Sequence, residues 1–228
     1  MLVLFAAVLA LVAGMGLWRL RPAQASLFTL PDLEGVYAGM VRSDGTNDAS
    51  VIDRRQIAEE SGYVVPAACE PLFEATVLNR VPREALDGVG TFWALDRSAV
   101  SLFSYRFPDV ASADREYARL TTAFDTCGDV PVEVHARPAV TGVLRGVPQA
   151  PAGAVQLGYV VTHDDGTKLA VHVFPFSNTV SWQFRYEPVP GPYAPLTAQR
   201  VMESLADQMR AVQDLRRESA SRAAPPSS

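Results

Sequence analysis

Residues 156–187 read QLGYVVTHDDGTKLAVHVFPFSNTVSWQFRYE, and this stretch decides the fold. Three runs rich in β-branched and aromatic residues are separated by two polar breaks, Asp164-Asp165-Gly166 and Ser177-Asn178. That pattern predicts a three-stranded antiparallel meander. A two-residue turn at Asp165-Gly166 pairs Val160 with Val171 and Gly158 with Val173. A second turn at Ser177-Asn178 pairs Val173 with Trp182, Val171 with Phe184 and Leu169 with Tyr186. Together the two registers put Val160, Leu169, Val171, Val173, Trp182, Phe184 and Tyr186 on one face. Tyr159, Ala170, His172, Gln183 and Arg185 fall on the other.

Helical patterns flank the meander. After it, Thr197 is a capping residue for a helix to about Arg216, with Val201, Met202, Leu205, Met209 and Val212 as its apolar stripe. This helix is expected to cover the apolar sheet face. Before the meander, Thr91 to Phe107 reads as β structure interrupted near Asp96-Arg97, with Phe103, Tyr105 and Phe107 facing one way. Asp109 or Ser112 can cap the next helix, in which Tyr117, Leu120, Phe124 and Cys127 share a stripe. Gly128 ends it. Pro66-Ala67-Ala68-Cys69-Glu70 starts a helix to about Asn79, and Leu30, Leu33 and Val36 mark another behind Pro31. Residues 51–65 are ambiguous between helix and strand. The expected fold class is α+β, an antiparallel sheet packed by amphipathic helices in one disulfide-stapled domain over 26–216, with a disordered tail at 217–228.

The N-terminal segment bears on compartment. Leu2 to Leu17 carries no charge, and Ala23-Gln24-Ala25 has the small residues of a signal-peptidase site. No Lys or Arg precedes the apolar run, while Arg19 and Arg21 follow it. Residues 1–25 are therefore either a cleaved signal or an uncleaved membrane anchor, in which case residues 1–18 contact the membrane. A start upstream of Met1 would supply the missing basic residues. By the positive-inside rule Arg19 and Arg21 would place the globular part in the cytoplasm, but the signal-like segment makes export the expectation, and in an oxidising compartment the two cysteines, Cys69 and Cys127, are expected to form a disulfide.

Composition excludes some functions and leaves others open. The net charge is −5, and −7 for the part after Ala25 that lacks Arg19 and Arg21. An acidic chain without a basic cluster is a poor nucleic-acid binder. Arginine supplies all but one of the 20 basic residues, Lys168 being the exception, which reflects GC-rich codons and not the fold. The three histidines, His135, His163 and His172, lack metal-ligand spacing, so neither a metal nor another cofactor is expected. His163 beside Asp164-Asp165 has the composition of a turn. No serine-nucleophile, phosphate-loop or S-x-x-K motif occurs, and no catalytic residue is assigned. The patch of Tyr159, His172, Gln183 and Arg185 is the candidate binding site, suited to an anionic or sugar-like ligand. The same residues also suit the solvated side of a sheet.

The order of several segments resembles a known family. Leu30-Pro31-Asp32-Leu33-Glu34-Gly35-Val36 precedes Pro66-Ala67-Ala68-Cys69-Glu70-Pro71-Leu72. The helix from Ala113 to Leu120 continues to Cys127, and the strand Asn178-Thr179-Val180-Ser181-Trp182 and a terminal amphipathic helix follow. Over about 28–215 this resembles the PknH-like extracellular sensor domain of actinobacterial envelope proteins. The resemblance implies an α+β domain whose antiparallel sheet and helices form a cleft, and ligand sensing or binding outside the cell with no established catalysis. Cys69 and Cys127 look like the family's first cysteine pair. The family's second pair is missing, as are a lipobox and a kinase domain. The expected function is a non-enzymatic extracytoplasmic sensor-like domain that binds a small envelope ligand. The alternatives are an interaction module docking on an envelope or membrane protein and, more weakly, a secreted hydrolase.

Overall fold

The computed structural model describes residues 27–44, 50–52, 62–95, 98–136, 143–149, 157–164, 166–187 and 195–223. The signal or anchor at 1–25 lies outside these residues. No helix among the described residues is long and apolar enough to cross a membrane.

The elements in chain order are α1 (Leu30–Asp44), β1 (Ser50–Ile52), β2 (Tyr63–Val65), a 3₁₀ turn (Ala67–Cys69), α2 (Glu70–Phe73), β3 (Asp87–Leu95), β4 (Ser98–Arg106) and α3 (Val110–Cys127), followed by β5 (Val132–His135), β6 (Val143–Gln149), β7 (Gly158–His163), β8 (Lys168–Phe176), β9 (Thr179–Glu187) and α4 (Pro195–Ala223). The nine strands among the described residues join one sheet in the order β1-β3-β4-β9-β8-β7-β6-β5-β2, and each of these pairings is antiparallel. The expected α+β class is observed.

The second hairpin adopts the expected register, with Val173 opposite Trp182, Val171 opposite Phe184 and Leu169 opposite Tyr186. The first hairpin does not. Val160 pairs with Ala170, Tyr159 with Val171 and Gly158 with His172. The chain reverses between His163 and Thr167, where His163 N–H donates to Thr167 O at 2.8 Å. Gly166 sits in the left-handed region at φ 82° and its N–H donates to His163 O at 2.8 Å. A reversal with a left-handed glycine in the third loop position is longer by one residue than the expected turn. One residue of slip exchanges the faces of β7. Tyr159 and Val161 therefore point into the core, while Val160 takes the opposite face.

Both faces of the sheet are covered. On the first, Tyr105, Phe107, Val161, Leu169, Val171, Val173, Trp182 and Phe184 pack with Leu72, Phe73, Leu120 and Cys127 from α2 and α3. The terminal helix α4 was expected on this face but covers the other one. There Leu205 and Met209 join Leu33, Val36 and Tyr37 of α1 over Val89, Val100, Leu102 and Phe174. The α2–α3 layer already seals the first face, so the apolar side chains of β3, β4 and β8 on the second need the terminal helices. Tyr37 reaches through this layer to hydrogen-bond Ser104, which bonds Ser181 in turn.

Three helix boundaries differ from expectation. The helix expected from Pro66 to Asn79 stops at Phe73, and the chain continues in turns, with Asn79 left-handed at φ 50°. The terminal helix begins at Pro195, ahead of Thr197. It also continues past Arg216 to Ala223, so 217–223 is exposed helix and not disordered tail.

Candidate functional site

The residues expected to form a ligand patch do not stay together. Tyr159 lies in the core, where its hydroxyl donates to Leu72 O and its ring packs 5.9 Å from Phe124. The register slip of the β7–β8 hairpin removes it from the patch. His172 and Gln183 remain cross-strand neighbours, and Arg185 shares their face. Thr91 enters their row through Leu102. Gln183 and Thr91 are buried, at 2% and 4% exposure, so the row lies inside the molecule and not on a solvated face. Gln183 Oε1 and Thr91 Oγ1 have no hydrogen-bond partner among the described residues.

Burial lowers the His172 pKa below the usual imidazole value of 6.5. The folded state thus holds His172 neutral, while the unfolded chain takes up a proton once the pH falls below about 6.5. Stability is therefore lost as the pH drops through that value towards the folded pKa. The variant His172→Gln is expected to show a shallower fall in melting temperature than the parent as the pH drops below about 6.5. Parallel profiles would refute this role.

A second location was not anticipated. In α3, Ser112, Arg115, Glu116 and Arg119 recur at i, i+3, i+4 and i+7 and share one helix face. Asp109 caps the helix, accepting the Ser112 N–H at 2.7 Å. Side-chain and backbone hydrogen bonds from Ser112 hold the Asp109 carboxyl below its usual pKa. Facing this stripe, the turns after α2 present Glu74, Arg80, Val81, Arg83 and Glu84. Between the two walls runs an open groove of about 430 Å³. Its lining holds four arginines and three glutamates, with Val81 the sole hydrophobic side chain.

The charges form two kinds of pair. Arg119 is clamped: Nε and Nη2 donate to Glu116 at 2.9 and 2.8 Å, and Nη2 donates to Glu74 at 2.6 Å. Partial burial works against the Arg119 charge, but these carboxylates outweigh it and push the pKa above the ordinary arginine value. Arg115 is held more loosely. Its Nη2 donates to Glu84 at 3.0 Å and to Ser112 Oγ at 2.9 Å, and both charged side chains are more than half exposed. Arg80 braces the outer turn by bonding Glu70 and Gly62 O.

The Cys69–Cys127 disulfide forms as expected, with Cα atoms 5.7 Å apart and both residues fully buried. Cys69 leads into α2 and Cys127 ends α3, so the bond ties together the elements that carry the two walls. The sequence held one signal for this groove, the polar stripe of α3 beside its apolar stripe. The other wall is an irregular segment that shows no period.

Elsewhere, His163 is buried, and its Nδ1 lies 3.1 Å from Arg145 O. It closes β7 at the reversal, in keeping with the turn expected there. His135 stacks on Tyr63 with ring centroids 4.3 Å apart and lies 3.4 Å from Glu133. No cluster of three metal-ligating side chains occurs among the described residues.

No family model matches the sequence, and no curated protein matches it. Solved structures do resemble the fold. The crystal structure of the extracellular domain of PknH from Mycobacterium tuberculosis aligns over 82% of this chain and 99% of that domain. The TM-score is 0.55 and the sequence identity 10%. A putative uncharacterised protein from Mycobacterium smegmatis aligns over 78% of this chain and 96% of that one, with a TM-score of 0.42 and 14% identity. At 10% identity the likeness to the first of these is one of fold.

Proposed function

We propose that this chain is an extracytoplasmic, non-enzymatic sensor-like domain that binds a small component of the cell envelope. The observation that carries the proposal is the disulfide-stapled groove between α3 and residues 74–84. Its volume of about 430 Å³ suits a small ligand. Its polar lining suits a charged ligand better than a lipid tail. The buried disulfide accords with an oxidising compartment. The likeness to an extracellular domain supports the same compartment, as does the apolar segment Met1 to Trp18 followed by a signal-peptidase-like site.

The test is native mass spectrometry of the oxidised protein after incubation with an envelope extract. An adduct that survives desolvation and disappears on denaturation is the expected result. A bare protein throughout would sink ligand binding and favour an interaction module docking on an envelope protein.

A further inference from the structure

We infer that the groove is an anion site, in which Arg115 exchanges Glu84 for a carboxylate or phosphate of the ligand; this rests on the ligand-binding function proposed above. The groove gathers four arginines and three glutamates, and Glu70 at its edge pairs with Arg80, so its charges are nearly balanced and selectivity for an anion rests on how each arginine is held.

The hydrogen bonds single out Arg115. A guanidinium offers five N–H donors in a planar fork. Arg119 uses Nε and Nη2 on two carboxylates, one of them the nearly buried Glu116. Displacing either carboxylate would strand a charge with little access to water. Arg115 uses Nη2 alone, on Glu84 and Ser112, so Nε and Nη1 carry no bond to the protein among the described residues. Two edges of the fork therefore present at least one uncommitted nitrogen. Planar oxyanions bind such edges with two parallel bonds.

The two partners of Arg115 differ in kind. Ser112 is 4% exposed and lies in the capped first turn of α3, so it holds the guanidinium in place from a rigid element. Glu84 lies on the facing turn and is 56% exposed, so it can swing into water with its charge still solvated. A pair this exposed contributes little to stability. Glu84 thus acts as a built-in competitor that shields Arg115 until a stronger anion arrives.

The test titrates the full-length oxidised protein at low ionic strength with inorganic phosphate and, separately, with glutarate, by calorimetry. The variants are Arg115→Gln, Glu84→Gln and the control Arg145→Gln, which removes an equally paired surface arginine at Glu133. At least one anion is expected to bind the parent. Glu84→Gln should then bind at least threefold more tightly, and Arg115→Gln at least tenfold more weakly, with Arg145→Gln unchanged. Preference for phosphate or for glutarate identifies which anionic group the ligand carries. No binding by parent and Glu84→Gln, equal losses in Arg115→Gln and Arg145→Gln, or weaker binding by Glu84→Gln would each overturn the inference. The last result would mean that the ligand needs the carboxylate. An envelope adduct retained by Arg115→Gln would overturn the anion site while leaving the binding function intact. Absence of any adduct on the parent would instead overturn the binding function.

Discussion

Replacing both Cys69 and Cys127 by alanine is expected to lower the free energy of unfolding by about 4 kcal/mol. The bond closes a loop of 58 residues, and the chain-entropy cost released to the unfolded state grows with loop length. Alanine avoids burying two hydroxyls at fully enclosed positions, so the loss reports the cross-link and a small cavity only. The effect should extend to the groove. Cys69 leads into α2 and Cys127 ends α3, and the Arg119–Glu74 and Arg115–Glu84 pairs bridge α3 to the turns that follow α2. Without the cross-link, the walls would be held by those partly exposed pairs, which oppose separation weakly, and by the core packing of Leu72 and Phe73 with Leu120. Denaturant unfolding of the parent, with and without reductant, and of the double variant is the measurement. A change below about 1 kcal/mol in both comparisons would refute the assignment of the bond as the main staple.

Asn178→Ala is expected to cost about 3 kcal/mol, and Asn178→Asp more. Asn178 is 2% exposed and joins three segments distant in sequence. Its Oδ1 accepts the Phe28 N–H at 2.6 Å, and its Nδ2 donates to Phe28 O at 3.1 Å and Phe107 O at 3.0 Å. Alanine leaves these buried backbone groups without a partner, and each orphan carries a desolvation penalty. Aspartate retains the acceptor but turns carboxylate oxygen towards two carbonyl oxygens, which adds repulsion to a buried charge. Phe28 would be released in both cases, and with it the contact of the N-terminal segment with α4. That contact includes Arg216 bonded to Leu27 O and Asp32. Chemical denaturation gives the cost, and proteolysis near Leu27 reports the release. Equal stability of Asn178→Ala and the parent would show that water replaces the side chain at no cost.

The two hairpins of the meander show how far the sequence reading carries. In the second, Val171, Val173, Trp182 and Phe184 alternate with polar or small residues, so only one register keeps the large side chains together. The first hairpin includes Tyr159-Val160-Val161, an apolar run without alternation. Either residue parity of β7 satisfies the hydrophobic effect, and loop length alone chooses between them. The same ambiguity affected the candidate site, because Tyr159 leaves the patch when the parity changes. The wrong face for α4 has a related cause. A sheet covered on both sides has no polar face to reveal its orientation, and the sequence of α4 shows a stripe without showing its target.

By itself the sequence determined the elements that local chemistry controls. Asp109 starts α3, the apolar stripe of α3 carries Leu120 and Cys127 inward, the Ser177-Asn178 turn sets the β8–β9 register, and two cysteines leave one possible intramolecular pair. Capping, helical periodicity and two-residue turns act over a few residues, so a short window contains the whole cause. Tertiary structure alone decided which sheet face each helix covers and where the charged groove lies. Glu74 and Glu84 meet Arg119 and Arg115 across separations of 45 and 31 residues. Whether such charges are clamped or exchangeable depends on burial, which is set by what the rest of the chain packs around them and not by their neighbours in sequence.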